Sequence, residues 1–230
     1  ADVALVLGDV PDCLLGENSL KWIACDHAGL NGSARPEVFE KNIFVTGAAG
    51  RSAPVLAEHC IYFMLQSCYH TKELAAQEKG QWGVDGSNNW RGLYGRKVAI
   101  LGMGNNGRML ADRLQAFGME IYAYDKYPIK DYDYIPHKYC GLNGDTLDPI
   151  LAECDFIVLT LALTDETYHM FDTEAFRKMK SNAVLINMAR GGIVDTAALT
   201  QALEDGAIGG AGLDVIEEEP FPSDHPLWRM

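Results

Sequence analysis

From Lys97 onward, short apolar runs alternate with amphipathic ones, and this alternation restricts the chain to a parallel sheet covered by helices on both faces. KVAIL, EIYAYD, FIVLTLA, AVLIN and GAGLDVI read as strands, and GRMLADRLQAFG, TLDPILAEC, TEAFRKMK and TAALTQALEDG read as the helices between them. In the first helix Leu110, Leu114 and Phe117 recur at helical spacing, and Gly118 stands where a helix cap needs a residue tolerant of positive φ. Open sheets of this kind bind ligands outside the carboxyl ends of their strands.

The first strand of this region runs into Gly102, Gly104 and Gly107, spaced as GxGxxG, with a helix behind them. The first glycine permits a tight turn, the second lets backbone approach a pyrophosphate, and the third brings helix and strand together, so phosphates sit on the helix N-terminus. Asp125 closes the next strand, where an acid can bond a ribose 2′-hydroxyl and repel a 2′-phosphate. The expected cofactor is therefore NAD, with Lys126 softening the preference over NADP.

Further polar residues fall at the other strand ends. Thr160 to Thr164 close the third strand, Arg190 follows AVLIN within NMARGG, and Asp214 with EEEP follows the last. A guanidinium at such a place can clamp a carboxylate bidentately while polarising an adjacent carbonyl, although Arg190 alone reads equally as half of a surface salt bridge. Gly191 and Gly192 would leave room there for a ligand. Glu217 and Glu218 read as a solvated run, whereas Glu219 precedes a proline at the ligand-binding edge.

Residues 1–70 read as a smaller α/β unit: DVALVLGD, LKWIACDHAG and NIFVTGAAG as strands, then one long helix from Ser52, apolar on all sides between Cys60 and Leu65, as at a junction. GQWGVDGSNNWRGLYG follows as a loop, and the boundary falls near residue 70, with 71–230 as the dinucleotide-binding domain. The six cysteines show no metal or disulfide spacing and read as reduced and mostly buried; together with a first segment unlike a signal peptide, they point to the cytoplasm. A net charge of −13 argues against nucleic acid and anionic membrane as partners, and no apolar run reaches the roughly 18 residues of a span. The histidines lie at no metal-ligand spacing, and His59 reads as a satisfied, buried side chain.

Taken together, GMGNNG, YAYDK, INMARGGIVD and GLDVIEEEP resemble the D-isomer-specific 2-hydroxyacid dehydrogenases, and the similarity runs from about Leu20 onward. The resemblance implies a doubly wound parallel-sheet Rossmann domain beside a second, incomplete flavodoxin-like α/β domain, a homodimer, and hydride transfer between NAD(H) and a small 2-oxo or 2-hydroxy acid. It implies that Asn105 and Asn106 offer backbone N–H groups to the pyrophosphate. Asp125 would hold the ribose, Leu161, Met188 and Ala189 would line the cofactor, and Asp214 would bond the nicotinamide carboxamide. Arg190 would be the catalytic, substrate-binding arginine, Glu219 the partner of a catalytic His, and Ala28 and Gly29 a loop holding the substrate carboxylate.

Three positions depart from the family text: Asn106 replaces an apolar residue, Ala162 a proline, and Asn31 a frequent Asp. The family's Pro-His motif is expected past Met230; His225, in DHPLW, matches a different stretch. With an opening strand also expected ahead of residue 2, the chain reads as part of a longer protein. A relative that senses NAD(H) as a corepressor without catalysis is the alternative, and a downstream Pro-His motif would discriminate between them.

Overall fold

The computed structural model describes residues 1–76 and 91–230. These form two compact units, Ala1–Pro54 and Val55–Met230. Most of the expected loop at residues 80–95 lies outside the described residues.

In the smaller unit β1 (Val3–Val6), β2 (Trp22–Cys25) and β3 (Phe44–Thr46) pair in parallel in that order, with Ile23 in register with Ala4 and Val45. Its helices, α1 (Asp12–Leu15) and α2 (Pro36–Phe39), are single turns. Its core consists of Val10, Leu20, Ile23, Cys25 and Val38.

The larger unit opens within the first turn of α3 (Ala53–Tyr69), the first part of the helix expected from sequence. That helix does not continue unbroken: His70 takes a positive φ of 46°, and α4 (Thr71–Ala75) starts afresh behind it. Six parallel strands follow in the order β6-β5-β4-β7-β8-β9. They are β4 (Lys97–Leu101), β5 (Glu120–Asp125), β6 (His137–Cys140), β7 (Phe156–Leu159), β8 (Val184–Asn187) and β9 (Gly210–Leu213). β6 was not expected, because HKYC has no apolar run; it is a half-covered edge strand held by its ladder to β5.

Because successive side chains in a strand point to opposite faces, the sheet has two cores. Val98 and Ile100 of β4 pack with Ala57, Cys60 and Met64 of α3 and with Leu110 and Leu114 of α5 (Asn105–Ala116). Ala99 and Leu101 pack on the other face with α6 (Asp148–Glu153), α7 (Thr173–Lys178) and α8 (Thr196–Glu204) through Ile150, Phe176 and Leu199. This shared core is why α3, grouped by sequence with the amino-terminal segment, is compact with the larger unit.

Local chemistry sets the helix ends. Asp172 and Asp195 cap α7 and α8 by accepting N–H bonds from their first turns. Gly118, at a φ of 67°, ends α5 as expected, donating to Gln115. All six cysteines are free; five are buried and Cys13 is exposed. Burial pushes the Cys60 thiol up to about 12. No helix among the described residues is long and apolar enough to cross a membrane.

Candidate active site

β4 ends in the glycine-rich turn at the carboxyl edge of the sheet. Gly102 takes a φ of 102°, and a Cβ there would strike the Thr160 carbonyl. Thr160 in turn donates its hydroxyl to the Gly102 carbonyl at 2.7 Å. A Cβ on Gly107 would overlap the Gly102 carbonyl oxygen, so this glycine lets α5 sit against the turn. Gly104 differs from both: a Cβ there would meet nothing within 4 Å. Its missing side chain faces open space, as an approaching ligand requires.

Gly104 is also the N-cap of α5, and no side chain caps that terminus. The first N–H groups of the helix, at Asn105, Asn106 and Gly107, are thus left for an anion. Arg108 folds back onto the Gly104 carbonyl and the Asn105 side chain, at 3.2 and 2.9 Å. Asp125 stands beside the turn at the end of β5. Its Oδ2 accepts from Met103 N at 2.7 Å and its Oδ1 from Tyr127 N at 3.0 Å. One bond per oxygen leaves further lone pairs for hydroxyls. An anionic dinucleotide fits this set: an uncapped helix terminus, an open glycine, and a fixed acid one strand away.

On the other side of β4, the chain leaving β7 carries Leu161, half-buried, and the chain leaving β8 carries Met188 and Ala189, both buried. Buried Asn187 organises the latter loop: its Oδ1 accepts from Ala189 N and its Nδ2 donates to the Arg190 carbonyl, both at 3.0 Å. Arg190 donates to the Ala189 carbonyl at 2.6 Å, and its remaining guanidinium N–H groups have no protein partner among the described residues. No salt bridge to Arg190 exists among those residues, so the surface-pair reading finds no support there.

The space expected beside Gly191 and Gly192 is filled by the protein itself. A Cβ on Gly191 would overlap the Ile216 carbonyl, and one on Gly192 would touch Leu163 and Tyr168. The two glycines let the loops after β7, β8 and β9 close on one another. Glu217 fastens that closure and is not simply solvated as expected. It meets His169 Nε2 at 2.5 Å and accepts from the Thr196 backbone and hydroxyl at 3.4 and 3.2 Å. Burial pushes the Glu217 carboxyl up, but the His169 and Thr196 bonds outweigh it and hold the pKa below the ordinary value.

Glu219 is exposed, and its Oε1 accepts from Ile216 N at 3.1 Å. Asp214 leaves β9 and pairs with His59 of α3, Nδ1 to Oδ1 at 2.9 Å, while Phe63 packs on the His59 ring. His59 is therefore satisfied, as expected, but it is part of the strand-end cluster and 39% exposed in its side chain. His225 caps the turn Pro226–Arg229 by accepting from Leu227 N, a structural task. In the smaller unit Ala28 and Gly29 follow the carboxyl end of β2, and their loop packs against Gly47. Among the described residues no group of His, Cys, Asp or Glu could hold a metal ion.

A six-stranded parallel sheet in this order, with a glycine-rich turn at its central strand and an acid ending the adjacent one, defines a Rossmann-type dinucleotide-binding domain. Residues 61–230 match the family model described as D-isomer specific 2-hydroxyacid dehydrogenase, NAD binding domain, and the chain belongs to that family.

Over 219 residues, 92% of the chain, it is 36% identical to a glyoxylate reductase from Korarchaeum cryptofilum and covers 64% of that protein. An NAD-dependent formate dehydrogenase from Staphylococcus aureus in complex with NAD superposes with a TM-score of 0.81 at 27% identity, covering 100% of this chain and 69% of that one. A D-isomer specific 2-hydroxyacid dehydrogenase from Xanthobacter autotrophicus Py2, in complex with NADPH and MES, gives 0.78 at 30% identity, covering 92% and 65%. The chain spans between about half and two thirds of the length of the curated relatives it matches.

Proposed function

We propose that the whole protein is an oxidoreductase that moves a hydride between NAD(H) and a small 2-oxo or 2-hydroxy acid, glyoxylate among the candidates. The observation that carries this reading is Arg190: a cation on a loop braced by buried Asn187, at the carboxyl edge of the sheet, with most of its donors unspent. Such a group orients a carboxylate and stabilises negative charge developing on the adjacent carbonyl oxygen.

Asn105, Asn106 and Gly107 would receive the pyrophosphate and Asp125 the ribose. Leu161, Met188 and Ala189 would line the cofactor, and Asp214, steadied by His59, would bond the nicotinamide carboxamide. The dinucleotide supplies the hydride. Glu219 would hold and charge an imidazole from outside these 230 residues, which would give or take the hydroxyl proton. Ala28 and Gly29 would offer backbone N–H groups to the substrate carboxylate, with residues 1–70 as part of a substrate domain. We infer a homodimer from the family resemblance and from exposed Val55, Tyr62 and Tyr69 on α3. The free, mostly buried cysteines support a cytoplasmic setting.

With NADH and a panel of 2-oxo acids, Arg190→Ala in the full-length protein should lower kcat/KM by about 10²–10³-fold, the usual cost of losing one preorganised charge-stabilising donor. Turnover retained across the panel would remove Arg190 from the chemistry.

A further inference from the structure

Two loops flank the end of β4, one leaving β5 and one leaving β7, and an ion pair joins them. Lys126, directly after Asp125, places Nζ 2.6 Å from Glu166 Oε2 on the loop that begins at Leu161. With the strands in the order β5-β4-β7, this bridge spans the crevice above the glycine-rich turn.

Both ends stand on fixed backbone. The Lys126 carbonyl accepts from Leu142 N at 3.0 Å and from the Cys140 thiol at 3.5 Å. The turn carrying Glu166 is closed by Thr167, whose hydroxyl donates to the Ala162 carbonyl at 2.8 Å and accepts from Thr164 N at 2.8 Å. The side chains themselves are open to solvent, 49% exposed for Lys126 and 68% for Glu166, so the pair adds little to stability. Its consequence lies in where the charges stand.

A lysine following a ribose-binding acid is well placed to meet a phosphate on the ribose 2′ position, and alone it would offset the acid's repulsion. Here Glu166 engages that lysine. Asp125, Lys126 and Glu166 together leave one net negative charge at this corner, and Asp165 adds another acid to the same turn. A 2′-phosphate would face that negative field and would have to displace a carboxylate to reach the ammonium.

We propose that Glu166 is a specificity-determining residue, which by holding Lys126 keeps the crevice selective for a dinucleotide with a free 2′-hydroxyl over one with a 2′-phosphate. The proposal rests on the dinucleotide reading of the same crevice. It gives Glu166, outside the glycine motif and 41 positions from Asp125, a say in a choice that Asp125 would otherwise make alone.

Fluorescence titration of the full-length protein with NADH and NADPH tests it. In E166Q the ratio of the NADPH to the NADH dissociation constant should fall on the order of fivefold to tenfold at low salt, the scale of one unit charge removed near a surface, and the fall should shrink as salt screens it. Adding K126M to E166Q should return the ratio toward that of the wild type, and E204Q, which removes an exposed charge at the end of α8, should leave it unchanged.

A ratio in E166Q within about twofold of wild type, less than half a kcal/mol, overturns the proposal while wild-type NADH binding leaves the dinucleotide reading intact. A fall that persists in the double variant, or that E204Q reproduces, also overturns it. Wild-type protein that binds neither dinucleotide overturns the underlying reading and the proposal with it.

Discussion

Asn187 is a polar side chain buried to 1% exposure, and such a group is retained only when its hydrogen bonds are made. It bonds one N–H and one C=O of the loop that carries Arg190, turning an irregular segment into a rigid mount. Asn187→Ala should cost about 1–3 kcal/mol, because Ala189 N loses its partner in a dry site and the Arg190 carbonyl keeps only the N–H of Ile193. The measurement is the urea midpoint at unchanged m-value, and an unmoved midpoint would show that the loop finds other partners. From sequence Asn187 was simply the last letter of a strand. Arg190 was legible because a cation between a strand end and two glycines is an unusual composition; the residue that braces it was not, since nothing local separates a buried Asn from an exposed one.

The strand-end loops show the same division among whole elements. The glycine-rich turn was legible because each glycine answers a local demand: positive φ at Gly102, open space at Gly104, close packing at Gly107. Gly191 and Gly192 looked alike on paper but serve contacts with Ile216, Leu163 and Tyr168, which only the strand order brings alongside. The His169 and Glu217 pair was invisible for that reason, its partners lying 48 positions apart. Glu217 also makes the closure sensitive to acid. Its folded pKa lies below the ordinary value of 4.5, so its contribution is fully present above that value and is lost as pH falls through the folded pKa. The difference in thermal midpoint between wild type and Glu217→Gln should therefore be largest near neutrality and shrink in acid below 4.5. A difference constant down to the acid limit would mean that Glu217 acts through packing and not through charge.

Across the whole molecule, the two units differ in how much they bury. The smaller packs a core cluster of five buried apolar residues under three short strands, whereas the larger closes two cores, one on each face of six strands. Local opening follows such differences. Backbone amides of β1 and β3 should exchange with deuterium faster than those of β4, β7 and β8, and equal protection in both sheets would contradict this ordering. The alternation of apolar runs made the larger sheet readable in advance. The division after Pro54 was less so, because α3 has an apolar surface that suits either unit, and only its packing on Val98 and Ile100 assigns it. The cysteines distribute as unevenly as the cores, five withdrawn and Cys13 alone at the surface. For a chemist this makes these 230 residues a one-handle reagent: a maleimide dye would attach at Cys13 without engineering, so that the smaller unit would carry the light while the buried thiols stay dark.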